Sequence, residues 1–282
     1  MRSSMVVKVL IDNRHRDNKY AIEHGLSLYV ELADIKCLVD VGLSDALLDN
    51  ADKMDIDVAA IDYVFISHGH VDHIGGLPYF LAKNSKAIIV MHPSVLSQKF
   101  ISTRNGHKDI TLKTSVEAYK NRFLFLEQNT VLHKEIMVVS HLTNFYPQPK
   151  GNRFLYKMQG ADLQQDDFNH ELLFCFGAAN ILVCSGCAHS GILNLLDSVP
   201  LTINQKITSV IGGFHLLDEQ ENNKYETVQE LNAIALELKT KYPETAFYTG
   251  HCTGDMAFLT LKKTLKEQLF PFYTGMTIVL NN

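Results

Sequence analysis

Short apolar runs, separated by polar turns, alternate along this chain with segments of helix-like spacing. The runs predict strands at 5–11, 25–32, 35–42 and 61–66, and later at 87–91, 136–139, 172–176, 180–184, 207–214 and 246–249. Apolar residues at helical spacing predict helices at 44–54, after residue 76, at 221–241 and at 255–268. In the helix at 221–241 we expect Tyr225, Val228, Leu231, Ile234 and Leu238 to face inward. The pattern predicts an α/β protein made of two strand-rich halves, each ending in helices.

Composition narrows the class of protein. The chain has 282 residues, which allows one large α/β domain or two small ones, and its hydrophobic fraction of 46% suffices for a substantial core. A net charge of −5 gives no basic surface for nucleic acid, so no nucleic-acid partner is expected. No run approaches a membrane span, and the N-terminus lacks the apolar segment of a signal peptide. Five cysteines, an odd number, favour a reduced, cytoplasmic protein over a disulfide scaffold.

A histidine-rich stretch follows the predicted strand at 61–66. It reads SHGHVDHIGG from position 67 to 76 and places three histidines and one aspartate in six consecutive positions. Glycine at 69, 75 and 76 permits a loop that can aim neighbouring side chains at different points. Imidazole nitrogen and carboxylate oxygen together suit zinc, iron or manganese. We therefore predict that His68 and His70 bind one metal, and that Asp72 and His73 bind a second.

This stretch resembles the HxHxDH signature of the metallo-β-lactamase superfamily, most of whose members are hydrolases with one or two metals. A second stretch, GCAHSGILN at 186–194, is similar to an element of one branch of that superfamily, which includes a pterin synthase of methanopterin biosynthesis. Four further pieces agree with that branch: DVG at 40–42, DDF at 166–168 followed by Glu171, IGGFHL at 211–216 and TGHCTG at 249–254. The resemblance covers nearly the whole chain and is weakest at 93–135.

The resemblance implies an αββα sandwich, in which two mixed sheets pack face to face with helices outside and metals at one edge. It implies a single domain over 1–282, with a less regular segment at about 93–135 that is a candidate cap or insertion. This segment is polar and mildly basic, and Arg104 or Lys108 in it could contact an anionic substrate.

The resemblance also completes the ligand set. His189 becomes the third histidine of the first metal, and His251 joins Asp72 and His73 on the second. The aspartate of Asp40-Val41-Gly42 is expected behind the metals, where it could orient a ligand histidine. Many superfamily members carry a bridging aspartate where this chain has Gly186-Cys187. Cys187 could bind as a thiolate, or the bridge could be water alone.

His215 follows the predicted strand at 207–214. If that strand is parallel to its neighbours, its carboxyl end lies at the same edge as the metals. Six ligands already give each metal three protein positions, so we expect His215 to bind substrate or transfer a proton. The alternative is a histidine that only caps the strand. Asp72, besides binding metal, is expected to orient the nucleophile.

The expected function is metal-dependent hydrolysis, or a related synthase reaction, by a metal-bound hydroxide. The substrate is expected to be a small phosphate-bearing or ester compound, such as a nucleotide- or pterin-like molecule. One or two divalent transition metals are implied, with zinc expected first and iron or manganese as alternatives. An iron-dependent redox enzyme of the dioxygenase type and a metal-bound binding protein without turnover are the other functions. A thioredoxin-like pair formed by Cys184 and Cys187 is a further redox alternative. The sequence is compatible with an oligomer.

Overall fold

Strands dominate the structure, which is a computed structural model and describes residues 4–201, 204–219 and 223–281. In chain order the strands within these residues are β1 Ser4–Ile11, β2 Ser27–Glu31, β3 Lys36–Val39, β4 Tyr63–Phe65, β5 Ile88–Met91, β6 Phe100–Ser102, β7 Lys108–Asp109, β8 Phe123–Phe125, β9 Thr130–His133, β10 Ile136–Val139, β11 Leu155–Gln159, β12 Asp162–Gln165, β13 Leu173–Phe176, β14 Asn180–Cys184, β15 Lys206–Ile211, β16 Ala246–Thr249, β17 Leu269–Pro271 and β18 Thr277–Asn281. The α-helices are α1 Ala46–Lys53, α2 Val71–Ile74, α3 Leu77–Lys83, α4 Ser94–Ser97, α5 Ile192–Asp197, α6 Val228–Lys241 and α7 Asp255–Leu265.

Two mixed sheets of seven strands form the centre of the molecule. The first has the order β18-β1-β2-β3-β4-β5-β8, and the second has the order β17-β16-β15-β14-β13-β10-β9. Strands β3, β4, β5 and β8 are parallel to one another, as are β14, β15, β16 and β17. Each sheet therefore gathers several carboxyl strand ends at one edge, where loops that follow the strands can meet.

Three apolar clusters define the layers. One lies between the sheets and includes Val39, Phe65, Phe174 and Cys184. The second packs α1 and α3 on the outer side of the first sheet. The third packs α5, α6 and α7 on the outer side of the second sheet. Because each sheet buries one face against the other sheet and one against helices, the predicted αββα sandwich is confirmed.

The segment 93–135 divides among three sheets. Strands β6 and β7 form a small additional sheet with β11 and β12, in the order β12-β11-β6-β7. Strands β8 and β9 instead lie at the outer edges of the two main sheets. The strands of the segment that lie outside the two main sheets are thus those of the β6–β7 hairpin. This hairpin lies beside the loop after β4, where the backbone N–H of Val71 donates to the carbonyl of Ile110.

Helix α6 begins later than the pattern predicts. Thr227 accepts a hydrogen bond from the backbone N–H of Glu230, and the Glu230 side chain accepts one from the N–H of Thr227. This capping box starts the helix at Val228, whose side chain is 57% exposed, so its predicted inward orientation is wrong. Tyr225 is buried but precedes the helix, while Leu231 and Leu238 are buried within it. Positions 221–222 of the predicted helix, and 1–3 at the N-terminus, lie outside the described residues.

None of the helices in the described ranges combines the length and the apolar character needed to cross a bilayer.

Candidate metal centre

The predicted site residues meet in one place because each follows a strand at the same edge. His68 and His70 follow β4, His189 follows β14, His215 follows β15 and His251 follows β16. His70, Asp72, His189, His215 and His251 line one cavity of about 330 Å³. His68 and His73 lie fully buried beneath them. The structure therefore brings together every residue that the sequence assigned to the metals and to catalysis.

The first cluster consists of His68, His70 and His189. His68 Nε2 faces His70 Nδ1 at 3.1 Å. The ring centroids of His68 and His70 lie 4.9 and 5.0 Å from that of His189. His189 Nε2 is buried and has no hydrogen-bond partner within the described part of the chain. The ligand nitrogens of His68 and His189 lie within 4.8 Å of each other, and the ring of His70 packs edge-on against both rings.

Hydrogen bonds behind the first cluster fix which nitrogen of the His68 ring and of the His189 ring carries a lone pair. The Ser67 hydroxyl donates its hydrogen to Asp40 at 2.7 Å. Its oxygen therefore accepts a hydrogen bond from the Nδ1–H of His68, which lies 2.8 Å away. The Asn152 amide donates to the carbonyl of His189, and its oxygen accepts from His189 Nδ1 at 2.9 Å. Both arrangements leave Nε2 as an acceptor, which is the form that binds a metal.

The second cluster consists of Asp72, His73 and His251. His73 Nε2 and His251 Nε2 are 3.1 Å apart, and Asp72 Oδ2 lies 3.5 Å from the former and 3.4 Å from the latter. Asp40 accepts from His73 Nδ1 at 2.6 Å, and Asn13 Oδ1 accepts from His251 Nδ1 at 3.1 Å. Asp40 therefore lies behind His73, as the sequence predicts, and orients its ring through this hydrogen bond.

Burial and charge set the protonation of both clusters. Desolvation lowers the pKa of His68, His70 and His189, so these rings are neutral and keep their lone pairs. Burial opposes ionisation of Asp72, but the neighbouring His73 and His251 outweigh it and hold the pKa of Asp72 well below its usual range. Burial likewise opposes the charge on His251, yet its hydrogen bond to Asp72 raises the pKa of His251 to about 9. The second cluster therefore attracts positive charge.

These donor atoms fit divalent cations. In the second cluster, His73 Nε2, His251 Nε2 and Asp72 Oδ2 lie within 3.5 Å of one another, an arrangement that a positive charge between them stabilises, either as a proton on His251 or as a bound cation. In the first cluster, Nε2 of His189 is buried without a partner among the described residues, and a bound cation would satisfy it. Imidazole with carboxylate is a donor set typical of zinc, iron and manganese.

Cys187 lies between the two clusters. Its sulfur is 3.2 Å from His73 Nε2, and it lies within 4.8 Å of the ligand atoms of His68 and His189 as well. A side chain at Gly186 would collide with the Ser67 hydroxyl, so the residue before Cys187 has no room for a bridging carboxylate. Cys184, in contrast, packs in the core between the sheets. The Cys187 sulfur instead lies within 4.8 Å of the Cys252 sulfur, and Cys252 donates to the backbone carbonyl of Cys187 at 3.7 Å, which argues against the thioredoxin-like pair.

His215 stands beside the first cluster without joining it. Its ring centroid is 4.3 Å from that of His189, and its side chain lines the same cavity. Neither ring nitrogen has a hydrogen-bond partner among the described residues, although the ring is buried. A Cβ at Gly151 would approach His215 Nε2 to 2.9 Å, so glycine there leaves space for the ring. His215 is thus a buried imidazole with both nitrogens available to a ligand.

Backbone strain concentrates at the same edge. Asp40, Ala188, His215 and His251 all have φ between 50° and 57°, in the left-handed region that residues other than glycine rarely adopt. Each stands in a connection after a strand that leads into the site. Such conformations cost of order 1 kcal/mol or more and persist where the surrounding contacts impose them. The strain aims these side chains, or those of their neighbours, at the clusters.

Several residues of the site had no role assigned from the sequence, although Asp166 and Glu171 belong to a piece that carries the resemblance. His24 places Nε2 3.5 Å from Asp72 Oδ2 and is exposed at the cavity. Asp166 pairs with His170, and His170 accepts from the N–H of Gly69. Glu171 accepts from the N–H groups of His189 and Ser190, at 2.7 Å each, and so holds the turn after β14. Asp166 and His170 are four residues apart, but the contacts of His24 with Asp72, of His170 with Gly69 and of Glu171 with His189 join distant parts of the chain, and no local spacing signals them.

Two further histidines follow predicted strands but lie outside this cavity. His141 is exposed, and His92 lies with it in a separate cavity.

Comparisons with known proteins agree with this geometry. The family model described as the metallo-beta-lactamase superfamily matches residues 23–98. The 7,8-dihydropterin-6-methyl-4-(beta-D-ribofuranosyl)-aminobenzene-5'-phosphate synthase of Methanocaldococcus jannaschii is 26% identical over 273 residues, covering 91% of this chain and 90% of that protein. MJ0448 of the same organism is 26% identical over 263 residues, covering 92% and 94%. The crystal structure of Tm1679, described as a metal-dependent hydrolase of the beta-lactamase superfamily, matches with a TM-score of 0.80 and 26% identity, covering 99% of this chain and 100% of that one. The predicted resemblance is confirmed.

Proposed function

We propose that this chain is a metal-dependent hydrolase of small ester or phosphate-bearing molecules. It has the metallo-β-lactamase fold and resembles that superfamily over most of its length. The observation that carries the proposal is the pair of adjacent clusters at the edge of one cavity, with His189 Nε2 buried and without a partner among the described residues in the first, and three possible ligand atoms within 3.5 Å of one another in the second. His68, His70 and His189 would hold one divalent ion, and Asp72, His73 and His251 would hold a second.

Divalent ions in such sites lower the pKa of a bound water from about 15.7 to about 7 and neutralise charge that develops on a substrate oxygen. The chain's own residues supply orientation and proton transfer. Asp72 keeps its carboxylate ionised beside His73 and His251, so it can orient a nucleophile by accepting a hydrogen bond. His215 offers an unpaired ring nitrogen to the cavity and can donate a proton to the leaving group.

A small molecule suits the cavity and the relatives. A volume of about 330 Å³ lies at the lower end of the range for small-molecule sites. The similar synthase is named for a pterin and a ribofuranosyl 5'-phosphate, and Tm1679 is described as a metal-dependent hydrolase. The first similarity supports a phosphate-bearing substrate here, and the second supports metal-dependent hydrolysis.

The test is hydrolysis by the purified chain loaded in turn with zinc, manganese and ferrous iron. Bis(4-nitrophenyl) phosphate and 4-nitrophenyl acetate report the two ester classes by release of 4-nitrophenol. We expect metal-dependent release that is lost in His73→Ala and kept in His141→Ala, which removes an exposed histidine outside the cavity. Bound metal without hydrolysis of either ester would favour a binding protein. Oxygen consumption with iron alone would favour the dioxygenase type of enzyme.

A further inference from the structure

The hairpin of β6 and β7 contributes a second wall to the cavity of the metal centre. Ser102, Arg104 and Lys108 from this hairpin line the same cavity as Asp72 and His215. The hairpin belongs to the small third sheet. The candidate ligands instead lie in the loops that follow strands of the two main sheets or, for Asp72 and His73, in the short helix α2. The cavity is therefore built from two independent parts, one with metal-binding groups and one with cationic groups.

The cations of this wall have no hydrogen-bond or ion-pair partner for their side chains among the residues that the structure describes. Within residues 4–201, 204–219 and 223–281, the Arg104 side chain makes no hydrogen bond or ion pair, and its Nε is buried without a partner. Lys108 has no ion pair within the same residues. Other lysines of the same sheet do have partners, because Lys99 pairs with Asp109 at 3.5 Å and Lys157 with Asp167 at 2.5 Å. Among Lys99, Arg104, Lys108 and Lys157, the two without an ion pair are thus the two that line the cavity.

The protein itself offers these cations nothing to bind. Asp72 is the one carboxylate among the described residues that line the cavity, and its Oδ2 already faces His73, His251 and His24. Leaving a buried guanidinium N–H unsatisfied costs free energy that a ligand acceptor would recover. A guanidinium presents a planar fork of donors that matches a phosphate or carboxylate, and a lysine beside it adds a second positive charge.

We infer that Arg104 and Lys108 form a subsite for a phosphate monoester group of the substrate, separate from the bond that is cleaved at the metal centre. Two cations match a phosphate monoester, which carries about −1.5 to −2 charges at neutral pH, better than they match a single carboxylate. This subsite rests on the proposed function, because it assigns the substrate class of the same cavity. The substrate is accordingly a small molecule with two functional ends, a hydrolysable ester and a terminal phosphate.

Binding tests the subsite without any need for turnover. We would measure the affinities of thymidine 3',5'-bisphosphate and thymidine 5'-monophosphate for the zinc-loaded protein by calorimetry. The wild type should prefer the bisphosphate, and Arg104→Met and Lys108→Met should each reduce that preference about tenfold, as expected for loss of one charge-assisted hydrogen bond. Lys99→Met is the matched control, because it removes a charge from the same sheet outside the cavity, and it should keep the wild-type preference.

Kinetics provides the second arm. The two substrates would be thymidine 5'-(4-nitrophenyl phosphate) with and without a 3'-phosphate, which share one scissile bond. The 3'-phosphate should lower KM about tenfold in the wild type and in Lys99→Met, but not in Arg104→Met. With the substrate that lacks the 3'-phosphate, Lys99→Met should match the wild type in both kcat and KM, because Lys99 lies outside the cavity.

The outcomes separate this inference from the proposed function. If the wild type hydrolyses neither substrate but the variants lose the binding preference, the proposed function fails and the subsite stands. If the wild type hydrolyses both but shows no preference for the bisphosphate, or if Arg104→Met and Lys108→Met keep it, the subsite is overturned and the hydrolase stands. Preservation of the preference in all variants would assign phosphate binding to the metals alone.

Discussion

Asp40 connects the two metal-binding clusters at the scale of single residues. Its Oδ2 accepts from His73 Nδ1 at 2.6 Å, and the same oxygen accepts from the Ser67 hydroxyl, which in turn holds His68. One carboxylate therefore fixes the tautomer of a histidine in each cluster. Its own φ of 57° is in the left-handed region, which the contact with the backbone N–H of Ser67 at 2.8 Å helps to maintain.

Asp40→Asn should weaken metal binding while the protein remains folded. The amide has nearly the same shape, but it removes the negative charge that favours a proton on His73 Nδ1. Partners of this kind typically change metal affinity by about 10- to 100-fold. Competition with a chromogenic chelator measures the change. Asp49→Asn, on the exposed face of α1, is the control and should bind metal as the wild type does. Equal affinities in the two variants would remove Asp40 from the site.

His215→Ala should retain the full metal content and lose turnover. Six other residues already supply three donors to each cluster, and His215 contacts the ring of His189 without a hydrogen bond to any ligand. Loss of a proton donor should lower kcat by about 100-fold or more, with a smaller change in KM. Elemental analysis and steady-state kinetics measure the two effects. Loss of one metal equivalent would instead place His215 among the ligands, and an unchanged kcat would reduce it to a strand cap.

The sequence predicted the residues of the site better than it predicted their partners. His68, His70, Asp72 and His73 lie within six positions, so their proximity is a local property of the chain. His189 and His251 required the resemblance to a known family, because only the fold brings them within reach. Asn13 and Asn152 support ligands that are 238 and 37 residues away, and an isolated asparagine in a sequence carries no sign of such a contact.

At the scale of elements, the first turn of α6 supports the first cluster from a distance. Lys150 donates its backbone N–H to Glu226 and its ammonium to Glu230, both at 2.6 Å. The next two residues are Gly151, which packs on His215, and Asn152, which holds His189. The short 3-10 helix Lys150–Phe154 is thus attached to α6 at one end and to the site along its length.

Thr227→Ala should destabilise the protein by about 1 kcal/mol, because it removes the side chain that caps α6. Denaturant unfolding followed by circular dichroism measures the free energy of unfolding. Thr240→Ala makes the same change at an exposed position of the same helix and should have almost no effect or a small stabilising one. If both variants unfold alike, the capping box contributes nothing in solution.

Most elements of the sandwich follow the hydrophobic pattern, and the exceptions have physical reasons. Val228 fits the helical period, but the capping box makes it a first-turn residue on the exposed side. The small sheet of β6, β7, β11 and β12 joins segments about 50 residues apart through strands of two to five residues. Strands this short have too few positions for an alternating hydrophobic pattern to be recognised. The sequence therefore indicated only an irregular segment at 93–135.

At the scale of the whole molecule, the metal centre joins the two sheets. The first sheet and its loops supply His68, His70, Asp72 and His73, and the second supplies His189 and His251. Lone pairs from both sheets converge within about 3 Å. Because a preformed site of this kind is absent from an unfolded chain, bound metal should stabilise the native state.

The metal content of two half-site variants tests the central claim most directly. Elemental analysis would follow dialysis of zinc-loaded wild type, His68→Ala/His70→Ala, His73→Ala/His251→Ala and the control His141→Ala. We expect two equivalents of zinc in the wild type and the control, and one in each half-site variant, because the clusters have separate ligands. Two equivalents in either half-site variant, or none in the wild type, would contradict the assignment of these histidines to two metal sites.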